Sequence, residues 1–286
     1  MGRITRNVAV TRVTRGDGRI LTDTRAGSTS VEEPLEIRAG GRTLTTTMRT
    51  PGHDVELAHG WLYAEGLIAS LHDVSTARYC AGAVGPEGRN TYNLLDIDLD
   101  TAPDSTARRA PTIPLQLAPP APGAGSACGV SGEQTISELL HRVPSPGDSL
   151  ALDPELVMGL PAALRAQQKP VRKTGGIHAA GAFGADGAAL VVREDIDAHN
   201  AADKVVGHML LEEQLPAVGT ILVVTSRASF ELAKKAAAAG FSALVAAGPA
   251  SSLAVELARR AGVALAGDAG EEGFRLYAGE LQEGRH

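Results

Sequence analysis

The sequence predicts an α/β protein: a β-rich N-terminal domain followed by an α/β domain with a mostly parallel sheet. Three observations point there. Short runs of β-branched and apolar residues dominate the first part of the chain. A stretch rich in Pro, Ala and Gly, from Thr101 to Ser126, separates the halves. The last third alternates apolar runs with helical segments across short loops, which implies right-handed crossovers between parallel strands.

In the N-terminal part, Val8 to Val13, Leu35 to Ile37, Thr43 to Met48 and Thr91 to Ile97 read as strands with partial alternation. Thr50-Pro51 reads as an N-cap with proline in the first helical turn. Leu57, Ala58, Trp61 and Leu62 then recur at helical spacing as far as Gly66. Pro111, Pro114, Pro119, Pro120 and Pro122 exclude a regular helix from the following stretch, which reads as a linker or mobile loop. Ser131 and Gln134 have the spacing of a capping box, and Ile136, Leu139 and Leu140 give the short helix after it one apolar face. A helix is expected from Pro154 to about Gln168, broken at Pro161. The domain division is 1–115 (β-rich), 116–145 (mobile loop and short helix carrying Cys128) and 146–286 (α/β).

Within the last domain, Ala189 to Val192 is an expected strand, and His199 to Lys204 opens an amphipathic helix with Val205, Val206, Met209 and Leu210. Ile221 to Val224 has the continuous apolar character of a buried parallel strand. A helix from Ala228 to Ala239 stops at Gly240, and one from Ser251 to Ala261 stops at Gly262. Ala243 to Ala247, Val263 to Ala266 and Phe274 to Tyr277 complete the strands.

A chain of 286 residues can bury a sizeable core, and with 3% aromatics Ala, Val and Leu must fill it. The net charge of -6 argues against nucleic acid as the main partner. No run of about 20 apolar residues is present, so no membrane span is expected. Met1 to Ile20 lacks the apolar core of a signal peptide, and the expected compartment is the cytoplasm. There a special cysteine is more often catalytic than structural. The cysteines are Cys80 and Cys128, and no clustered Cys and His suggest a metal site.

Cys128 lies among small residues, Ser126 to Gly132, just ahead of the positive end of the expected helix. A thiol there has a lowered pKa and is partly thiolate, the reactive form. The other reading is a small buried hydrophobe. Cys80 reads as a packing residue. Thr225-Ser226-Arg227, Gly248-Pro249-Ala250 and Gly267 to Gly273 should share the edge beyond the carboxyl ends of the parallel strands, where ligands bind. Glycines, an arginine and a helix N-terminus suit phosphate, although each glycine also reads as a turn residue. Thr174 to His178, Arg193-Glu194-Asp195 at a strand end and His199 to Lys204 at a helix start gather polar groups where a strand meets a helix, a common place for a site. The alternatives are a solvated turn and a hydrogen-bonded structural histidine.

Several segments, in order along the chain, resemble the FdhD/NarQ family of formate dehydrogenase accessory proteins. They are Glu32 to Ile37, Met48 to Gly52, Tyr79 to Gly82, Cys128-Gly129-Val130, Thr174 to Ala180, Arg193-Glu194-Asp195, His199 to Ala201 with Asp203-Lys204, Arg227 to Glu231, and Ser252 to Val255. The resemblance implies a cytidine-deaminase-like second domain and a homodimer. It implies a sulfurtransferase in which a cysteine desulfurase loads a persulfide onto Cys128. The sulfur then passes to the Mo-bis(molybdopterin guanine dinucleotide) cofactor for formate dehydrogenase, and GDP-like nucleotides can mimic that cofactor. By the same resemblance Asp268, Ala269, Gly270, Glu271, Glu272 and Gly273 match the cofactor-binding segment. Ser226, Arg227, Gly175, Gly176, His178 and Lys204 are the further candidates for holding the cofactor. The deaminase zinc motif is absent, since His178-Ala179-Ala180 lacks its glutamate. Ser131 stands where the family loop has a second cysteine, which leaves a single-thiol carrier or, alternatively, a non-catalytic chaperone binding the cofactor. Asp197-Ala198 replaces the family's glycine-arginine, and Asp268 to Gly273 is acidic where the family is basic.

Overall fold

A computed structural model describes residues 4–80, 91–100, 150–168 and 174–282. The expected linker, the helix after Ser131 and Cys128 itself lie outside these residues. The chain opens with β1 (Thr5–Gly16) and β2 (Arg19–Ser30), an antiparallel hairpin forming its own two-stranded sheet. β2 carries little apolar alternation to announce it.

Next come β3 (Glu33–Ala39), β4 (Arg42–Arg49), α1 (Asp54–Ala64), β5 (Val74–Tyr79) and β6 (Leu94–Leu99). The four strands form one sheet in the order β4-β3-β6-β5. Leu35, Ile37, Leu95 and Ile97 recur at period two and are wholly buried in one cluster with Leu57, Ala58 and Leu62 of α1. The start of α1 differs from expectation. Gly52 and His53 have φ of 113° and 57°, which cannot continue a helix, so His53 is the N-cap and Thr50-Pro51 stays outside. Thr50 instead binds the second domain: its N–H donates to Asp195 Oδ2 at 3.2 Å and its Oγ1 accepts from Ile196 N at 3.1 Å.

The second domain contains α2 (Pro154–Gln167), β7 (His178–Phe183), β8 (Ala189–Asp195), α3 (Ala198–Leu211), β9 (Ile221–Val224), α4 (Phe230–Ala238), β10 (Ala243–Ala246), α5 (Ser252–Ala261), β11 (Ala264–Gly270) and β12 (Gly273–Ala278). Its six-stranded sheet has the order β12-β11-β10-β9-β7-β8. The pairings β9–β10 and β10–β11 are parallel, and β11–β12, β7–β9 and β7–β8 are antiparallel. The expected parallel sheet is therefore the centre of a mixed one. β7, a run of small residues in which strand propensity is weak, is inserted between β8 and β9 and runs against both.

Alternate residues of the central strands face two helical layers. Leu222, Val224, Leu244 and Leu265 pack with Leu232 and Ala236 of α4 and Leu257 of α5. Ile221, Val223, Ala243 and Val245 pack with Val157, Leu160 and Leu164 of α2. α2 runs unbroken through Pro161, contrary to the expected break. Proline inside a helix costs about 3 kcal/mol, a cost offset by burying Val157, Leu160, Pro161 and Leu164 on one face.

α1 and α3 join the two domains at backbone distance. A Cβ on Gly60 would lie 1.9 Å from Asp203 O, and one on Gly207 would lie 1.8 Å from Glu56 O. Only hydrogen at both positions allows this crossing. No helix among the described residues is long and apolar enough to cross a membrane.

Candidate functional site

The three segments beyond β9, β10 and β11 do meet. Gly248 N donates to Ser226 O at 3.1 Å, Ala228 N to Pro249 O at 3.0 Å, and Asp268 N to Gly248 O at 2.9 Å. The glycines are explained by this crowding. A Cβ on Gly248 would sit 3.2 Å from Arg227 N, and one on Gly267 would sit 3.0 Å from Gly248 O. His178, at the start of β7, joins the same edge: its Nδ1 is 3.2 Å from Thr225 Oγ1, which also accepts from Ala179 N at 3.0 Å. Gly175 and Gly176 precede it and are exposed, and Gly176 O accepts from Ser30 Oγ at 3.3 Å.

Arg227 is exposed two residues before Ser229, which caps α4, and has no ion-pair partner among the described residues. Ser226 Oγ donates to Arg227 O at 3.0 Å. This pair is the part of the edge suited to an anion. Asp268 to Gly273 is less suited. β11 continues to Gly270, which pairs with Gly273 across a turn made by the exposed Glu271 and Glu272. Ala269 is buried. Asp268 Oδ2 is enclosed and makes no hydrogen bond, although Arg275 Nη1 lies 3.4 Å away.

Lys204 does not face this edge. It is buried, with Nζ 2.6 Å from Asp195 Oδ2, and donates to Thr50 O at 2.9 Å and Glu194 O at 3.2 Å. Its three protons are spent, so it positions the domain seam rather than presenting a charge to a ligand. Glu194, beside it, has its carboxyl raised by burial, only partly offset by Gln168 and Lys204.

A cleft of about 500 Å³ lies at the junction of the domains. Leu57 and Trp61 of α1, Thr47 and Met48 of β4, and residues of α3 and α4 line it. Lys235 Nζ lies 2.6 Å from Asp203 Oδ1, both buried. Burial raises Asp203 to about 6 while Lys235 pulls against it. Lys234 lies between Glu65 at 2.7 Å and Glu231 at 3.5 Å, and these carboxylates hold its ammonium above its ordinary value against burial. Asn200 Nδ2 donates to Met48 O at 2.7 Å and its Oδ1 accepts from Thr47 Oγ1 at 3.1 Å. These groups come from separate segments. Asn200 and Asp203 are legible as part of the polar run that opens α3, whereas no local pattern singles out Lys234 and Lys235.

The FdhD/NarQ family model matches residues 30–282. The chain belongs to the FdhD/NarQ family. A Corynebacterium efficiens protein called sulfur carrier protein FdhD is 52% identical over 281 residues, covering 98% of this chain and 100% of its own length. A Nocardia farcinica protein of the same name is 44% identical, covering 97% of this chain and 94% of its own. A Desulfotalea psychrophila crystal structure, of a protein proposed to be a formate dehydrogenase accessory protein, superposes with a TM-score of 0.67 at 19% identity. That superposition covers 95% of this FdhD/NarQ chain and 96% of the other, and shows a shared fold.

Proposed function

We propose that this protein is a cytoplasmic sulfur carrier in formate dehydrogenase maturation. It takes sulfur from a cysteine desulfurase as a persulfide on Cys128 and delivers it to Mo-bis(molybdopterin guanine dinucleotide). The observation that carries this is the 52% identity, over nearly the whole chain, to a relative called a sulfur carrier protein. Cys80 is half-buried, and the carrier thiol is assigned to Cys128 because Cys128-Gly129-Val130 matches the family's persulfide-carrying loop. The working unit is a homodimer.

The described residues fit part of the cofactor. Ser226 and Arg227, ahead of the α4 N-terminus, would hold a phosphate. Asp268 Oδ2, which makes no hydrogen bond and has only Arg275 Nη1 3.4 Å away, is an acceptor suited to the ring N–H donors of guanine. Asp268, Glu271 and Glu272 do not suit a pyrophosphate, so the phosphates belong at Arg227. The cofactor supplies the metal that receives the sulfur, and the protein supplies proximity.

The test is intact-mass spectrometry after incubation with a cysteine desulfurase and cysteine. A one-sulfur gain on wild type and on Cys80→Ala, lost in Cys128→Ala, is expected. No gain on wild type would sink the carrier reading. Persistent nucleotide binding in that case would favour the chaperone alternative, to which Ser131 points.

A further inference from the structure

Ser229, His199 and Asp197 come together from two helix N-termini. Ser229 Oγ lies 3.0 Å from His199 Nε2, and His199 Nδ1 lies 3.1 Å from Asp197 Oδ1. We propose that these three residues are a nucleophile, its base and the group that orients the base, acting on the acyl carbon of small esters or thioesters.

Capping explains the serine and the aspartate one at a time. Ser229 caps α4, with Leu232 N 3.4 Å from its Oγ. Asp197 caps α3, its Oδ1 accepting from His199 N at 2.7 Å and Asn200 N at 3.3 Å. Capping does not explain the imidazole between them, which spends one ring nitrogen on each cap. With the proton on Nδ1 facing the carboxylate, Nε2 is the acceptor for the serine hydroxyl, as a base requires. Burial pushes the Asp197 carboxyl up, but His199 and the two backbone donors outweigh it and hold it at about 2. It therefore stays ionised.

Asp197 and His199, but not Ser229, are among the residues that line the 500 Å³ cleft, where Trp61 and Leu57 offer an apolar surface for an acyl or leaving group. Ser229 is partly exposed. The N–H of Phe230, at the first position of α4, takes no part in the cap and is a donor for a developing oxyanion at a positive helix end. The Glu231 carboxylate is drawn to Lys234 at 3.5 Å.

In the reaction, Ser229 Oγ bonds to the acyl carbon as its proton passes to His199 Nε2. The bond to the leaving oxygen or sulfur breaks, and that atom takes the proton from Nε2. Water, deprotonated by the same nitrogen, then cleaves the acyl-serine to a carboxylic acid and restores the hydroxyl. No electrons are exchanged with an oxidant or reductant, and neither cysteine takes part, so the inference is independent of sulfur carriage.

The full chain is treated with a fluorophosphonate probe, in which the serine oxygen displaces fluoride from phosphorus, and mapped by peptide mass spectrometry. p-Nitrophenyl acetate turnover is followed in parallel. One adduct, on Ser229, is expected. His199→Gln, which alters neither capping side chain, should slow labelling and turnover by at least about 100-fold. Ser229→Asn, which keeps a good cap, should abolish both while leaving circular dichroism unchanged. Absence of an adduct on Ser229 overturns the proposal, as does labelling that His199→Gln leaves unslowed.

Discussion

Lys204 Nζ lies 2.6 Å from Asp195 Oδ2 in the seam between the domains, with both side chains closed off from solvent. Burial pushes Asp195 up and Lys204 only partly offsets it, while the ammonium also holds Thr50 O of the first domain. Lys204→Met strands a buried carboxylate and should cost about 3–5 kcal/mol in urea unfolding. Lys204→Met with Asp195→Asn should cost less than the two single changes combined. A loss under about 1 kcal/mol for the lysine variant would show that the pair is not a clamp.

The crossing of α1 and α3 gives a second prediction. Gly207→Ala places a methyl group where Glu56 O would be 1.8 Å away, and backbone cannot yield as a side chain can. We expect a loss of at least about 3 kcal/mol, at the upper end for overpacking, read as a lowered Tm. Gly159→Ala, where an added Cβ meets nothing within 4 Å, should be neutral or slightly stabilising and serves as the control.

Glu56 predicts a pH dependence. Burial pushes its carboxyl up, but Arg193 and His53 outweigh burial and hold it at about 2. A carboxyl lowered from its ordinary 4.5 contributes stability that is present above 4.5 and lost as pH falls toward 2. Glu56→Gln should cost about 1.5–3 kcal/mol at neutral pH. The gap between variant and wild type should close across that acid window in chemical denaturation. A gap that stays constant with pH would refute the assignment.

Arg227 is the exposed cation at the sheet edge. Arg227→Ala should weaken GDP binding, measured by calorimetry, by about tenfold, equivalent to about 1.4 kcal/mol. Arg260→Ala, in the last turn of α5 and so away from the helix N-termini at this edge, should leave it nearly unchanged. Equal losses for both would remove the phosphate seat from Ser226 and Arg227.

Sequence showed the central strands well and the seam poorly. Ile221 to Val224 is apolar at every position because helices cover both of its faces, and such a run reads directly as a strand. β7 reads as His-Ala-Ala-Gly-Ala-Phe, whose small residues suit a crowded strand between two neighbours but carry no strand propensity. The three edge segments were legible because each follows a strand in a regular alternation. The contacts of Lys204, and the meeting of Ser229 with His199, depend on how separate elements pack, which no local pattern encodes. Thr50-Pro51 had the local form of a helix start, and its bonds to Asp195 and Ile196 gave it another role.

Because Gly60 and Gly207 bring α1 and α3 together main chain to main chain, the two sheets have no cushion of side chains along which to slide. The walls of the cleft are thus preset in their spacing. A guest of the wrong breadth is turned away by rigid architecture, and one of the right breadth forgoes the entropic loss of drawing two loose halves together.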